Sequence, residues 1–181
     1  MLKLIATLLA LSLTSGVCHA GEGEDQANSF ANIYASLCLK NLSSLDGLRE
    51  KLKPMPKLPP EKAAIFLAGA PGEAWPVPDK FGTFVLALPS GKNLCAVHVR
   101  RANTEAAKKQ FTGLVANAPS PLVARQIRNE QAQTAANGQT QTIAYEWSVP
   151  NTTKKMLFTL TTAPSESAQI QVLASAAILS Q

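Results

Sequence analysis

The chain is poor in histidine, charge and aromatic rings: two His, 16% charged residues and 6% aromatic among 181. One histidine, His19, falls in an N-terminal leader, which leaves His98 alone in the rest of the chain. A histidine-rich metal site cannot be assembled from one imidazole, so no metal is expected. The three cysteines include no CxxC pair, which excludes both the dithiol redox motif and the usual cysteine metal knuckle. GxGxxG, GxxxxGK[ST], HExxH and GxSxG are all missing, so nothing points to a nucleotide cofactor, a zinc protease or a serine elbow. A Ser-His-Asp set would have to use His98, with no elbow to present the serine. No window approaches the roughly 18 apolar residues of a membrane-crossing helix, so no transmembrane anchor is expected. With 46% apolar residues and a small net charge, the chain is not composed like a disordered, collagenous or coiled-coil protein.

What is present begins with an export signature. Residues 1–20 read MLKLIATLLALSLTSGVCHA: a single cation, Lys3, then an apolar run over residues 4–13, then small and polar residues ending in Ala20. This is the order of a secretory signal peptide. Cys18 and Ala20 supply small side chains at the −3 and −1 positions, so cleavage is expected between Ala20 and Gly21. The rival reading makes Cys18 a lipidated first residue; the branched Val17 before it disfavours that choice. The product is expected to be a soluble periplasmic or secreted protein of one domain, residues 21–181.

The 17 Lys and Arg against 12 Asp and Glu leave only a mild basic surplus. It is spread through Arg100/Arg101, Lys108/Lys109 and the trio Lys51, Lys53 and Lys57 rather than gathered in a stripe. Such charges are expected on solvated faces, and no nucleic-acid partner is expected. Beyond the leader only Cys38 and Cys95 remain, an even count for an oxidising compartment, and they are expected to form one disulfide. Closing so long a loop stabilises the folded state by about 4 kcal/mol in the chain-entropy treatment. The competing idea, Cys95 as a nucleophile with His98 as its base, requires the two to share a face. Residues three apart on a strand point to opposite faces.

Along the chain, residues 21–26 (GEGEDQ) read as a frayed polar leader. Residues 27–40 place Phe30, Ile33, Tyr34, Leu37 and Cys38 at helical spacing, and Leu45, Leu48 and Leu52 continue the stripe after a cap at Ser43 or Ser44. Residues 53–60 (KPMPKLPP) hold four prolines in eight, a stiff connector. A short helix over residues 61–68 is expected to start on Pro60 and to end with Gly69 at the position after its C-cap. Residues 83–88 form an apolar strand covered on both faces, paired as a hairpin with residues 94–101. A helix follows over residues 104–116, capped by Asn103 or Thr104. Residues 122–128 suggest a strand, and 131–141 (QAQTAANGQTQ) a polar connector turning at Asn137-Gly138. Strands close the chain at 143–149, 155–162 and 170–179. The sum is one α+β domain: an antiparallel sheet with N-terminal helices and one inserted helix mainly on one face.

Candidate sites are few. Residues 69–78 (GAPGEAWPVP) offer Trp75 between turn residues, with Pro76 and Pro78 stiffening the segment. An exposed Trp75 there would anchor a partner, whereas a buried one would be a lid over the helical edge. An uncovered face or edge of the sheet could recruit a partner by strand addition. Glu61, Glu73, Asp79, Glu105 and Glu146 could supply a carboxylate pair, but nothing in their spacing selects one. Glu146 would face away from its neighbours Tyr145 and Trp147, toward solvent or a cross-strand cation. The layout resembles that of small exported proteins of Gram-negative bacteria, some of which neutralise toxins in the periplasm. The resemblance rests on composition and order alone, and it implies an inhibitor, immunity or adaptor role. The reading is therefore a binding protein with a protein partner in the cell envelope. The alternatives are a small envelope hydrolase with a carboxylate site, or a carrier of a small apolar ligand between sheet and helices.

Overall fold

The computed structural model describes residues 20–150 and 152–179. The expected signal peptide lies outside the described residues up to residue 19, as does the Cys18 alternative. The N-terminal helix α1 spans Ala20–Ile33 and runs on into a π-helical segment, Tyr34–Leu39; α2 (Leu45–Leu52), α3 (Pro60–Phe66) and α4 (Thr104–Val115) complete the helices. The strands are β1 (Gly72–Val77), β2 (Thr83–Pro89), β3 (Leu94–Arg100), β4 (Val123–Thr134), β5 (Gly138–Ser148), β6 (Lys155–Thr162) and β7 (Val172–Leu179). They form one sheet in the order β1-β2-β3-β7-β6-β5-β4, every neighbouring pair antiparallel. Two meanders, β1–β3 and β4–β7, are thus sewn together along β3 and β7. Between them α4 carries the chain from the middle of the sheet to its far edge. The expected α+β architecture with an antiparallel sheet is what forms.

One face of the sheet holds the main core. Phe84, Leu86 and Leu88 of β2, Cys95, Val97 and Val99 of β3, and Phe158 and Leu160 of β6 alternate toward α1, α2 and α4. Each such apolar side chain contributes about 2 kcal/mol on burial. Small residues on β7, Ala174 and Ala176, leave room for Tyr34, whose hydroxyl donates to the Ser175 carbonyl at 2.8 Å. Burial without a charged partner pushes the Tyr34 phenol well above its ordinary range. Phe30, Tyr34, Cys38 and Leu42 all bury at intervals of four residues. In an α-helix that interval drifts about 40° around the axis at each step. The looser π-helical winding takes up this drift and keeps Tyr34 and Cys38 aimed at the sheet. Cys38 then reaches Cys95 on β3, and the two form the expected disulfide across 57 residues.

Four local expectations change. Residues 21–26 are not frayed but lie in α1, with Glu22 in its first turn. The helix after the proline connector ends earlier than expected. Its left-handed cap residue is Ala68 (φ 49°), and Gly69 (φ 74°) sits one place later, its N–H bonded to the Ala64 carbonyl at 3.1 Å. That helix, α3, lies on the opposite face from the others, over Val85, Ala87 and Ala96. Finally, residues 131–141 are no connector. They extend β4 and β5 into one long hairpin that turns at Ala135–Asn137, with Gly138 at φ 69° as it re-enters the ladder.

Candidate functional site

The two halves of the sheet differ in how they are covered. On the face away from the main core, α3 shields β1, β2 and β3, while β7, β6, β5 and β4 carry no helix. This open half presents rows of short side chains across the strands. Ser175, Thr159 and Ala144 run to Arg128, and Thr161 and Thr142 run to Glu130, while Leu173 beside Thr161 packs against the cluster under α3. The Thr142 and Thr161 hydroxyls are 3.0 Å apart, a cross-strand hydrogen bond between β5 and β6. Glu146 belongs to this face, opposite Tyr145 and Trp147. It accepts from Lys155 at 3.0 Å and Arg125 at 3.4 Å, as expected of a cross-strand glutamate. Trp147 turns the other way, packs on Phe158 and donates to the Val115 carbonyl at 2.7 Å, joining β5 to the end of α4.

The sheet has two edges, treated differently by the sequence. At the β1 edge the proline connector runs alongside: the Leu58 N–H donates to the Ala74 carbonyl at 2.8 Å, and Pro76 has no N–H to offer. That edge is closed. At the other end β4 is paired only with β5, and every one of its residues except Ala124 is exposed. It carries two of the large exposed apolar side chains, Val123 at 54% and Ile127 at 45%. Ile127 sits in a bulge between Gln126 and Arg128, where the register with β5 shifts. A bulge and flanking charges are the usual protection of a bare edge against promiscuous pairing. Here Arg125, Arg128 and Glu130 supply those charges.

Trp75 is not an exposed anchor. It is 1% exposed, on the core side of β1 opposite Leu86, with the Lys57 ammonium 6.0 Å above its ring. Its neighbours Pro76 and Pro78 are exposed, but the aromatic ring that would have done the anchoring faces inward. The alternation of the strand decides this, since Trp75 shares its face with residues that meet Leu86 and Leu88. Trp75→Ala would open a large cavity in the core and report on stability rather than on partner capture.

The carboxylates proposed for hydrolysis are dispersed. Glu73 pairs with Lys57 on the helix-covered face of β1, whereas Glu146 lies on the opposite face of β5. Five strand spacings of about 4.8 Å separate them, more than twice what a paired-carboxylate mechanism spans. Glu105 pairs with Lys108 at 2.6 Å on α4, Asp79 accepts from the Phe81 N–H at 2.8 Å, and Glu61 is exposed on α3. The Cys95–His98 dyad also fails: Cys95 is bridged on the core face and His98 points under α3. Among the described residues no group of three or more His, Cys, Asp or Glu could hold a metal ion, and no helix is long and apolar enough to cross a membrane. No family model, curated protein or solved structure matches the chain.

Proposed function

We propose that this is an exported binding protein that captures a protein partner in the cell envelope through the free edge of β4 and the adjoining open half of the sheet. The observation that carries this reading is the contrast between the two edges. One is closed by chain and proline, while the other runs bare for twelve residues. An unpaired strand edge is a row of alternating donors and acceptors, a template for an extended segment of another protein. The platform beside it has short side chains that leave room for a partner, and the arginines along the edge are already paired, Arg125 with Glu146 and Arg128 with Glu130. The Cys38–Cys95 disulfide supports an oxidising compartment, in line with the leader sequence. An inhibitor, immunity or adaptor role would use such a surface.

The test is affinity capture from the native envelope fraction with oxidised protein, alongside a Val123→Lys/Ile127→Lys double variant. Both positions are exposed, so the variant should keep its stability within about 0.5 kcal/mol. A single stoichiometric partner retained by the parent protein and lost by the variant is the expected result. A partner retained equally by both overturns the β4 assignment. Self-association of the pure protein through β4, seen by sedimentation and abolished in the variant, overturns partner capture, because a second copy would then fill the edge.

A further inference from the structure

A second site lies at the other end of the sheet, independent of the β4 edge. Between α3 and the sheet is a cavity of about 340 Å³, roofed by Ile65 and Phe66 and floored by Val85 and His98, with Thr83 and Arg100 at its rim. At roughly 30 Å³ per non-hydrogen atom, the share of one water in the liquid, it has room for about ten. His98 is 5% exposed; the Phe66 backbone lies close enough to favour its protonated form, yet neither ring nitrogen makes a hydrogen bond of good geometry among the described residues. Its ring is fixed by the edge-to-face contact with Phe66, centroids 5.1 Å apart. A donor and an acceptor left unsatisfied at such depth cost about 1–3 kcal/mol, a cost that water or a bound polar molecule relieves. Burial pushes the His98 pKa down to about 4, so at neutral pH the ring offers one N–H and one bare nitrogen. Arg100 makes no ion pair among the described residues, and it lines the same cavity.

We propose that this cavity binds a small monocarboxylate, its aliphatic or aromatic body held between Phe66, Ile65 and Val85 and its head group between His98 and Arg100. The walls are apolar and the polar groups converge at one end, the usual division of labour in a small-molecule site. The imidazole N–H and the guanidinium both donate, so the head group they share is an acceptor and an anion.

The probes are octanoate, whose ten non-hydrogen atoms fit the volume, and octan-1-ol, which has the same chain without the charge. Binding is followed by calorimetry and by the ¹⁵N-coupled imidazole resonances of His98, on oxidised protein near neutral pH. Octanoate is expected to shift the His98 resonances saturably and to bind at least about tenfold more tightly than octanol, the equivalent of one charge-assisted hydrogen bond. His98→Phe should weaken octanoate about tenfold or more, and Arg100→Gln should erase the preference over octanol. Thr83→Trp sits at an exposed strand end and should keep the fold while blocking the mouth, which keeps the test decisive if His98→Phe misfolds. Absence of any saturable shift up to about 10 mM octanoate overturns the proposal. So does binding that survives Thr83→Trp. Equal affinity for octanol overturns the carboxylate assignment.

Discussion

Buried on the face under α3, His98 couples folding to pH. The folded chain keeps this imidazole neutral down to about pH 4 because burial penalises the cation, while the unfolded chain takes up the proton near 6.5. Between those values the unfolded state binds more protons, so stability is whole above about pH 6.5 and falls as pH drops toward 4. The loss through this one group is about 3 kcal/mol across the window. Arg100 is the charged side chain lining the same cavity. Urea unfolding at about pH 7 and about pH 4.5 should show the loss, and His98→Phe should flatten most of it. An unchanged slope in the variant would mean that the imidazole is hydrated in the folded protein. Little of this was legible beforehand. The strand residues around His98 fixed its face relative to Cys95, but no sequence pattern says that a seven-residue helix will close over that face.

At the scale of the element, the β4–β5 hairpin is the least supported part of the fold. Its outer half is polar on both sides and held by main-chain pairing more than by burial. Native-state hydrogen exchange should therefore find the β4 amides near the turn at Ala135–Asn137 opening far more readily than those of β2, β3 and β7, which exchange through global unfolding. Uniform protection of β4 would reveal an edge already covered in solution. The same physics explains which elements could be read in advance. β2, β6, α2 and α4 bury one face or both, so burial stamps its period on residues such as Phe84, Leu86, Leu48 and Phe111. The far half of β4 buries nothing, and Gln131, Gln133 and Thr134 carry no period to detect. Trp75 was ambiguous for a different reason: Pro76 and Pro78 suggest a loop, and only the pairing of β1 with β2 turns the ring inward. The segment proposed for function was thus among the least visible, because an unpaired edge has no neighbour of its own to leave a hydrophobic imprint.

Taken as a whole, the molecule divides along the β3–β7 seam into a half covered on both faces and a half left open. The covered half contains the proline connector, α3 and the cavity over His98. The open half offers the platform and the bare edge; on the main-core side α4 lies over β6 and β7, and the π-helical segment touches both β3 and β7 across the seam. Two separate jobs can sit on such a body, because a ligand under α3 and a partner on β4 do not compete for surface.

The bridge from Cys38 to Cys95 makes the proline connector a site where the backbone can be severed without the molecule falling apart. Residues 53–57 are exposed and lie inside the covalent ring, so a protease that nicks them leaves both pieces tied together. On a denaturing gel the nicked protein should migrate as one band until a thiol is added, and then as two. Two bands without thiol would mean that the ring is not closed in the isolated protein. In a compartment patrolled by proteases, such a ring lets a single cut pass as a scar rather than a fracture.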